Sequence, residues 1–213
     1  MNLTDKGIAI PDSRLAREIT ELVRDQESPL LFHHSSRVYY FGAIAGKKRG
    51  LKFDPELLYA GAMFHDMGLL APYSSPDERF EVDGANAARD FLKSHDIPLA
   101  NVDLVWTAIA LHTTPGIPRH MHPLIALVTA GVEMDVLGLT YSQYSPEERE
   151  AVVSAHPRAK HFKEEIISAF YHGVKHKADT TFGNVKGDVL ADKDPGFSRG
   201  NFCSVIRASA WEG

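Results

Sequence analysis

The sequence predicts an all-α protein, and three observations lead to that fold class. Apolar residues recur at intervals of three and four along eight segments, which is the period of an amphipathic α-helix. Capping residues and prolines stand where several of these segments begin. Outside residues 177–213, no segment shows the alternation of apolar and polar residues that is typical of a half-buried strand.

Capping residues indicate where the first three helices begin. Asp12 or Ser13 can cap the first helix, and Pro29 suits the first turn of the second. The third helix begins with Asp54 as N-cap, and Gly68 is expected just beyond its C-terminal end. These helices therefore have their boundaries marked by local sequence alone.

Five more helices follow before the chain changes character. They are predicted over residues 82–95, 98–113 and 122–138, from Ser145 onward, and over 158–176. Residues 177–213 are rich in Gly, Asp and Pro without a stable period, so we expect an irregular tail, mostly loop, packed on the body. The whole chain, 1–213, is expected to form one domain of about eight helices with its core at about 28–176.

Composition excludes several classes of function. The chain has 213 residues, of which 44% are hydrophobic and 24% charged, with a net charge of −5, so no basic surface for nucleic acid is expected. Cys203 is the single cysteine, which excludes an internal disulfide and a multi-cysteine zinc site. No secretory leader or apolar run of about 18 residues is recognisable. These features predict a cytoplasmic protein with no nucleic-acid or membrane partner; a homo-oligomer held by the tail is left open.

The second helix places one of two adjacent histidines on its apolar face. His34 shares a stripe with Leu31 and Val38, whereas His33 falls on a flank with Arg37. A single histidine on an apolar face is more often a packed core residue than a ligand. His34 therefore gains weight only from polar residues on other helices.

Two further helices carry polar residues among apolar ones. His65 lies on an apolar face, and Asp66 follows it near the negative end of the helix dipole, where a carboxylate needs a compensating cation. Asp135 lies on an almost wholly apolar helix, and an isolated buried carboxylate is costly. A solvated helix end for Asp66 and a salt bridge or capping role for Asp135 are the alternatives. With His34, these residues form a mixed N/O ligand set suited to zinc, iron or manganese with a coordination position open for water.

The ordered set resembles the ligands of the HD superfamily of metal-dependent hydrolases. Members have a histidine, an adjacent His-Asp pair and a distant aspartate, which match His34, His65-Asp66 and Asp135. The resemblance implies an HD-domain helical bundle that binds one divalent metal per chain, zinc as first choice and iron or manganese as alternatives. Leu69 and Phe80 stand where other branches have a glutamate and a second-metal histidine, which favours one metal and no phosphodiester substrate. His112 as a ligand of a second metal is the alternative.

A narrower resemblance, from about residue 30 to the end, is to cyanamide hydratase and its relatives. It implies a small-molecule substrate, with addition of water to the nitrile carbon of cyanamide, giving urea, or of a similar small nitrile. An HD phosphohydrolase acting on nucleotides or other phosphomonoesters, and a non-catalytic metal-binding HD domain, are the alternatives. The segments that carry the resemblance are "HSSRVYYFG", "FHDMGL", "RFEVDGANAARDFL", "LHTTPGIPRH", "GVEMDVLG", "TTFGNV" and "PGFSRGNFC".

Two residues are candidates for proton transfer. Asp66 is expected beside the metal, and His112 shares an inward face of the fifth helix with Val105 and Ile109. Thr113 and Thr114 follow at the helix end, where their hydroxyls either orient substrate or cap the helix.

Arg37 and Glu81 complete the candidate substrate-binding residues. Arg37 lies one turn from His34, where it can pair with Asp66, with Glu81 or with an anionic substrate, although a structural ion pair is an equal alternative. Glu81 precedes a predicted helix, so N-terminal capping also accounts for it.

Overall fold

The helices of the bundle are joined by connections of 2 to 15 residues. A computed structural model describes residues 8–208, and that part of the chain contains no strand, which confirms the all-α class. Ten α-helices are present in these residues: α1 Arg14–Gln26, α2 Pro29–Lys48, α3 Pro55–Phe64, α4 Phe80–Ser94, α5 Leu99–Leu111, α6 Pro123–Val132, α7 Pro146–Ala155, α8 Phe162–Val174, α9 Lys186–Lys193 and α10 Phe202–Arg207.

The predicted caps are confirmed by hydrogen bonds. The Ser13 hydroxyl accepts from the backbone N–H of Ala16, which decides between Asp12 and Ser13. The Asp54 carboxylate accepts from two backbone N–H groups of α3. Ser145 and Glu148 form a reciprocal capping box at the beginning of α7. These ends are specified by residues within one turn, which is why they are readable from the sequence.

The expected role of Gly68 is wrong. α3 ends at Phe64, and Gly68 lies three residues beyond His65 in a 3₁₀ turn, Met67–Leu69. A Cβ at Gly68 would come within 1.9 Å of the carbonyl oxygen of Phe80. Glycine is needed there because the backbone after the His-Asp pair touches the beginning of α4, and no left-handed cap is involved.

The central helix α2 packs closely against α6. A Cβ at Gly131 would lie 2.2 Å from the carbonyl oxygen of Val38, and one at Gly42 would lie 2.7 Å from that of Leu127. Glycine on both helices lets their backbones approach. This approach brings the segment that follows α6 over the middle of α2.

The predicted helix over 122–138 is not uniform. α6 ends at Val132, and a π-helical turn, Glu133–Leu137, continues it as far as Gly138, whose φ of 66° is left-handed. A π turn rotates the residues after it relative to a regular helix, and such turns recur at functional sites. Asp135 is carried by this turn, so its direction is set by the irregularity.

Residues 177–208 contain more helix than the sequence predicts, and the rest of the expected tail, 209–213, lies outside the described residues. A 3₁₀ segment, Lys175–Thr181, leads into α9, which packs against α8, and α10 follows. Leu190 of α9 is buried in a cluster with Phe80 and Phe162. These short helices carry too few apolar residues to show a helical period, and α9 is stabilised by tertiary packing. Within the described part of the chain, no helix is long and apolar enough to cross a membrane.

Candidate metal centre and active site

Three predicted ligands meet at the centre of the bundle. The Nε2 atoms of His34 and His65 are 3.1 Å apart, and Asp66 Oδ2 lies 3.3 Å from His65 Nε2 and 3.6 Å from His34 Nε2. His34 comes from the middle of α2, and the other two follow the C-terminal end of α3. All three side chains are buried, and their ligand atoms lie within 4.8 Å of one another.

The hydrogen bonds around the cluster fit a bound cation. His65 Nδ1 donates to the carbonyl oxygen of Ala62 at 2.6 Å, and His34 Nδ1 donates to Asp135 Oδ2 at 2.7 Å. Because Nδ1 of each ring is engaged by its acceptor, Nε2 of each ring is the atom left to bind a metal, and the two Nε2 atoms lie 3.1 Å apart. Both oxygens of Asp66 are buried without a hydrogen-bond partner. A divalent metal would satisfy all of these atoms.

The ionisation of Asp66 also suits a cation site. Burial raises the pKa of this carboxyl, but the imidazoles of His65, His34 and His112 outweigh burial and hold the pKa well below its usual range. Asp66 is therefore a carboxylate at neutral pH. Its two oxygens are hydrogen-bond acceptors to which no described group donates, and such a carboxylate is suited to bind a metal ion.

Asp135 lies behind His34, on the far side of the ring from Asp66. Burial raises its pKa, but hydrogen bonds from His34 and Arg37 outweigh this and lower the pKa to about 2. A carboxylate that accepts from a ligand histidine fixes the tautomer and direction of that ring. The geometry therefore gives Asp135 a positioning contact, and direct ligation by Asp135 stays a prediction.

Arg37 is fully buried, and its contacts are all within the protein. Its Nε and Nη2 donate to the two oxygens of Asp135 at 2.7 and 2.9 Å, and its Nη1 donates to the backbone carbonyls of His156 and Pro157. The partner is thus Asp135, where we expected Asp66 or Glu81. This geometry corresponds to the structural ion pair that was the alternative, and a substrate contact by Arg37 stays a prediction.

His112 faces the cluster from the end of α5. Its Nδ1 donates to the carbonyl oxygen of Ile109 at 2.6 Å, and its Nε2 lies 3.8 Å from Asp66 Oδ1 without a hydrogen-bond partner. Burial, followed by the nearby His65, lowers the pKa of His112 to about 4. At neutral pH this ring is therefore a neutral base with a free lone pair directed at the site.

A buried polar network lies next to His112. The Thr113 hydroxyl donates to Glu81 Oε1, and Lys186 Nζ donates to the same oxygen and approaches Thr113 Oγ1 at 3.4 Å. The second oxygen of Glu81 is buried without a partner. The predicted residues Glu81 and Thr113 thus lie together. Sequence analysis missed Lys186, because it lies in the segment expected to be loop. Its only signal in the sequence is that it follows Val185 and precedes Leu190 by four residues, which is a helical spacing.

A cavity of about 420 Å³ opens beside this network. His112, Thr113, Thr114 and Lys186 line its inner end, and apolar residues of α8, α9 and the segment 132–139 form its walls. Thr113 and Thr114 therefore lie where a substrate has access to them. The cavity reaches His112, which faces the candidate metal site, while His34, His65 and Asp66 are not among its lining residues.

A further buried acid, Glu27, escaped the sequence analysis. The Ser35 hydroxyl donates to it at 3.3 Å, and burial, followed by the charge of Asp66, raises its pKa well above the usual range. In the sequence Glu27 precedes Ser28 and Pro29, where an acidic residue is ordinary at a helix beginning. Nothing local distinguishes it from a solvated residue.

Comparison with known proteins gives a family. No curated protein matches the chain. A family model described as HD domain matches residues 31–154, more than half of the sequence. The matched region contains the cluster and both His112 and Asp135, and HD domains bind divalent metals. The chain therefore belongs to the HD domain family of metal-dependent hydrolases.

Proposed function

We propose that this protein is a metal-dependent hydratase that adds water to the nitrile carbon of cyanamide, giving urea, or of a similarly small nitrile. The observation that carries the proposal is the unpaired face formed by Asp66 Oδ1 and His112 Nε2, 3.8 Å apart beside the cavity. The resemblance to cyanamide hydratase supplies the choice of substrate.

The cluster of His34, His65 and Asp66 would hold one divalent metal, with zinc as the first choice and Asp135 as a further predicted ligand. A divalent metal in such a site lowers the pKa of a bound water toward neutrality and polarises the substrate. The His34 and His65 rings are held in the ligating tautomer by Asp135 and the Ala62 carbonyl.

The residues around the cavity supply the proton transfers. The neutral Nε2 of His112 accepts a proton from water as its oxygen bonds to the nitrile carbon, and returns it to the nitrile nitrogen. The Lys186 ammonium lies beside that path and can donate a hydrogen bond to the nitrogen as negative charge develops, while the Thr113 hydroxyl donates to Glu81. Asp66 is the other predicted proton-transfer residue, and a proton shuttle through it stays a prediction.

The charges of the cavity argue against a phosphate substrate. Lys186 is the one cation among the described residues that line it, and Glu81 already neutralises this ammonium. Two carboxylates, Glu133 and Asp188, line the same cavity. A phosphomonoester needs a cluster of unpaired cationic donors.

The proposal is tested by incubating zinc-loaded protein with cyanamide and with a panel of nucleotides, measuring urea and phosphate. We expect urea only. We expect His65→Ala to abolish it and to lower the metal content, while His172→Ala, a surface change on α8, leaves both unchanged. Phosphate without urea would show an HD phosphohydrolase, and neither product would favour a non-catalytic metal-binding domain. Two metal equivalents per chain would contradict the mononuclear site.

A further inference from the structure

We propose that the cavity beside His112 binds an apolar substituent of the substrate, so that the substrate is a nitrile or cyanamide that carries a hydrophobic group. This inference rests on the proposed function for the identity of the reacting group. It rests on the cavity alone for the identity of the substituent.

The cavity is much larger than cyanamide. Its volume is about 420 Å³. Cyanamide has three non-hydrogen atoms and needs no more space than about three water molecules, roughly 90 Å³. The cavity lies instead in the range of sites for molecules with a ring or chain, which begins at about 300 Å³. Cyanamide would therefore leave most of the walls without a contact.

The walls of the cavity are mostly apolar. The π turn and the end of α6 contribute one wall, α8 a second and α9 a third. Their apolar lining residues are Val132, Val136, Ile167, Phe170, Val185 and Val189, and the two carboxylates Glu133 and Asp188 also line the cavity. Because the other polar groups of the lining lie together at the end that carries His112, the cavity can orient a molecule with one polar end and one apolar end.

Two charged residues of the lining form ion pairs with other residues of the protein. Lys186 pairs with Glu81, and Asp188 pairs with Arg199. Among the described residues of the lining, no unpaired cation is therefore left to select an anionic substituent.

The mouth of the cavity has exposed apolar side chains. Leu137 and Leu139 are 63% and 64% exposed, and Val185 is 40% exposed. Adjacent exposed apolar residues around a cavity are typical of a ligand site. A substituent that extends from His112 to this rim would cover them.

The lining of the cavity gives the position of the substrate, and the nitrile group gives the reaction. The nitrile lies at His112 and Thr113, next to Asp66, and the substituent extends between α8 and α9 toward Val185. Water adds across the C≡N bond: a C–O bond forms, one π bond breaks, and the tautomerised product holds both water protons on the former nitrile nitrogen. A cyanamide R–NH–CN becomes the substituted urea R–NH–CO–NH₂, with no other reactant.

The first test is binding, measured by calorimetry on metal-free protein. We expect benzylurea to bind at least about tenfold more tightly than urea, because burial of one apolar group in a hydrophobic pocket strengthens binding by about tenfold or more. Val189→Phe should remove the difference by filling the cavity, and Val185→Phe, at the exposed rim, should reduce it if Val189→Phe fails to fold. Val205→Phe, the same change on α10, should leave it intact. Equal binding of urea and benzylurea would overturn the proposal.

The second test is turnover by the zinc-loaded protein. We expect kcat/KM to be at least about tenfold higher for benzylcyanamide than for cyanamide, and Val189→Phe to lower only the former. Equal values would overturn the proposal. If benzylurea binds as expected and neither nitrile is hydrated, the proposed function fails while the cavity assignment stands. If Val189→Phe changes the sedimentation of ligand-free protein, the face is an interface between copies, which contradicts the assignment.

Discussion

Each of the two cluster histidines is held by an acceptor on its Nδ1, and the two acceptors are different. A backbone carbonyl holds His65, whereas the carboxylate of Asp135 holds His34. The carbonyl is neutral and fixed by the helix, but the carboxylate is charged and needs a partner of its own. That partner is Arg37, which is why a buried arginine lies beside the candidate metal site.

The Arg37–Asp135 pair predicts a strongly coupled double-mutant cycle. Arg37→Met removes two hydrogen bonds from Asp135, which keeps the hydrogen bond from His34 and has Arg158 Nε 3.9 Å away. We therefore expect the free energy of unfolding to fall by about 3 kcal/mol, at the lower end for a broken buried pair. Asp135→Asn leaves a buried guanidinium unpaired and should also be costly. The double variant should lose less than the sum of the two, as measured by denaturant unfolding with a chelator present to remove metal effects. Additive losses would contradict the pairing.

His112 predicts a loss of turnover without a loss of metal. His112→Asn keeps a donor for the Ile109 carbonyl but removes the basic Nε2, so kcat should fall by about 10²–10⁴. The metal content, measured by atomic absorption, should stay unchanged because His112 is outside the ligand cluster. His172→Asn is the surface control. A parallel loss of metal would instead make His112 a ligand.

At the scale of the element, the junction of α6 with its π turn decides the shape of the site. The close approach of α2 and α6 fixes how near the π turn lies to α2. The turn then directs the Asp135 side chain toward His34. A regular helix to residue 138 would have placed the same side chain elsewhere on the helix surface.

A methyl group added at Gly131 should force α2 and α6 apart. Gly131→Ala places a Cβ within 2.2 Å of the Val38 carbonyl, so the backbones must shift, and we expect a loss of about 1–3 kcal/mol in thermal or denaturant unfolding. Gly196→Ala is the control, because a Cβ there meets only a flexible side chain, and it should change stability by less than about 0.5 kcal/mol. An unchanged midpoint for Gly131→Ala would show that α2 and α6 are not in close contact.

At the scale of the whole molecule, two lysines fasten the C-terminal segment to α4. Lys186 pairs with Glu81, and Lys177 pairs with Asp83 at 2.6 Å, with all four side chains buried. The segment therefore closes the site as well as the fold, since α9 forms one wall of the cavity. Loss of either pair should loosen the cavity wall.

Lys177→Met should destabilise the attachment of this segment. Asp83 keeps its hydrogen bonds from Ser75, so we expect about 3 kcal/mol, at the lower end for a broken buried pair. Amide hydrogen exchange in α9 should accelerate more than in α2. Lys193→Met, which removes a partly exposed pair, should change stability by less than about 0.5 kcal/mol. Equal effects of the two changes would mean that the Lys177 pair does not fasten the segment.

The sequence by itself determined the helical class, most helix beginnings and which of the two adjacent histidines faces inward. These depend on caps and on periodicity, which act within one or two turns. His34 is buried and in the cluster, while His33 lies on the flank, its ring 5.7 Å from that of His156.

Only the tertiary structure decided the partners of the buried charges. Arg37 and Asp135 are 98 positions apart, and Lys186 and Glu81 are 105 apart. The π turn, the helix α9 and the cavity likewise arise from packing between distant segments. Local pattern states which side chains point inward, but the contacts that they make depend on how closely the helices approach, and that is set by glycines and side-chain volumes across the whole core.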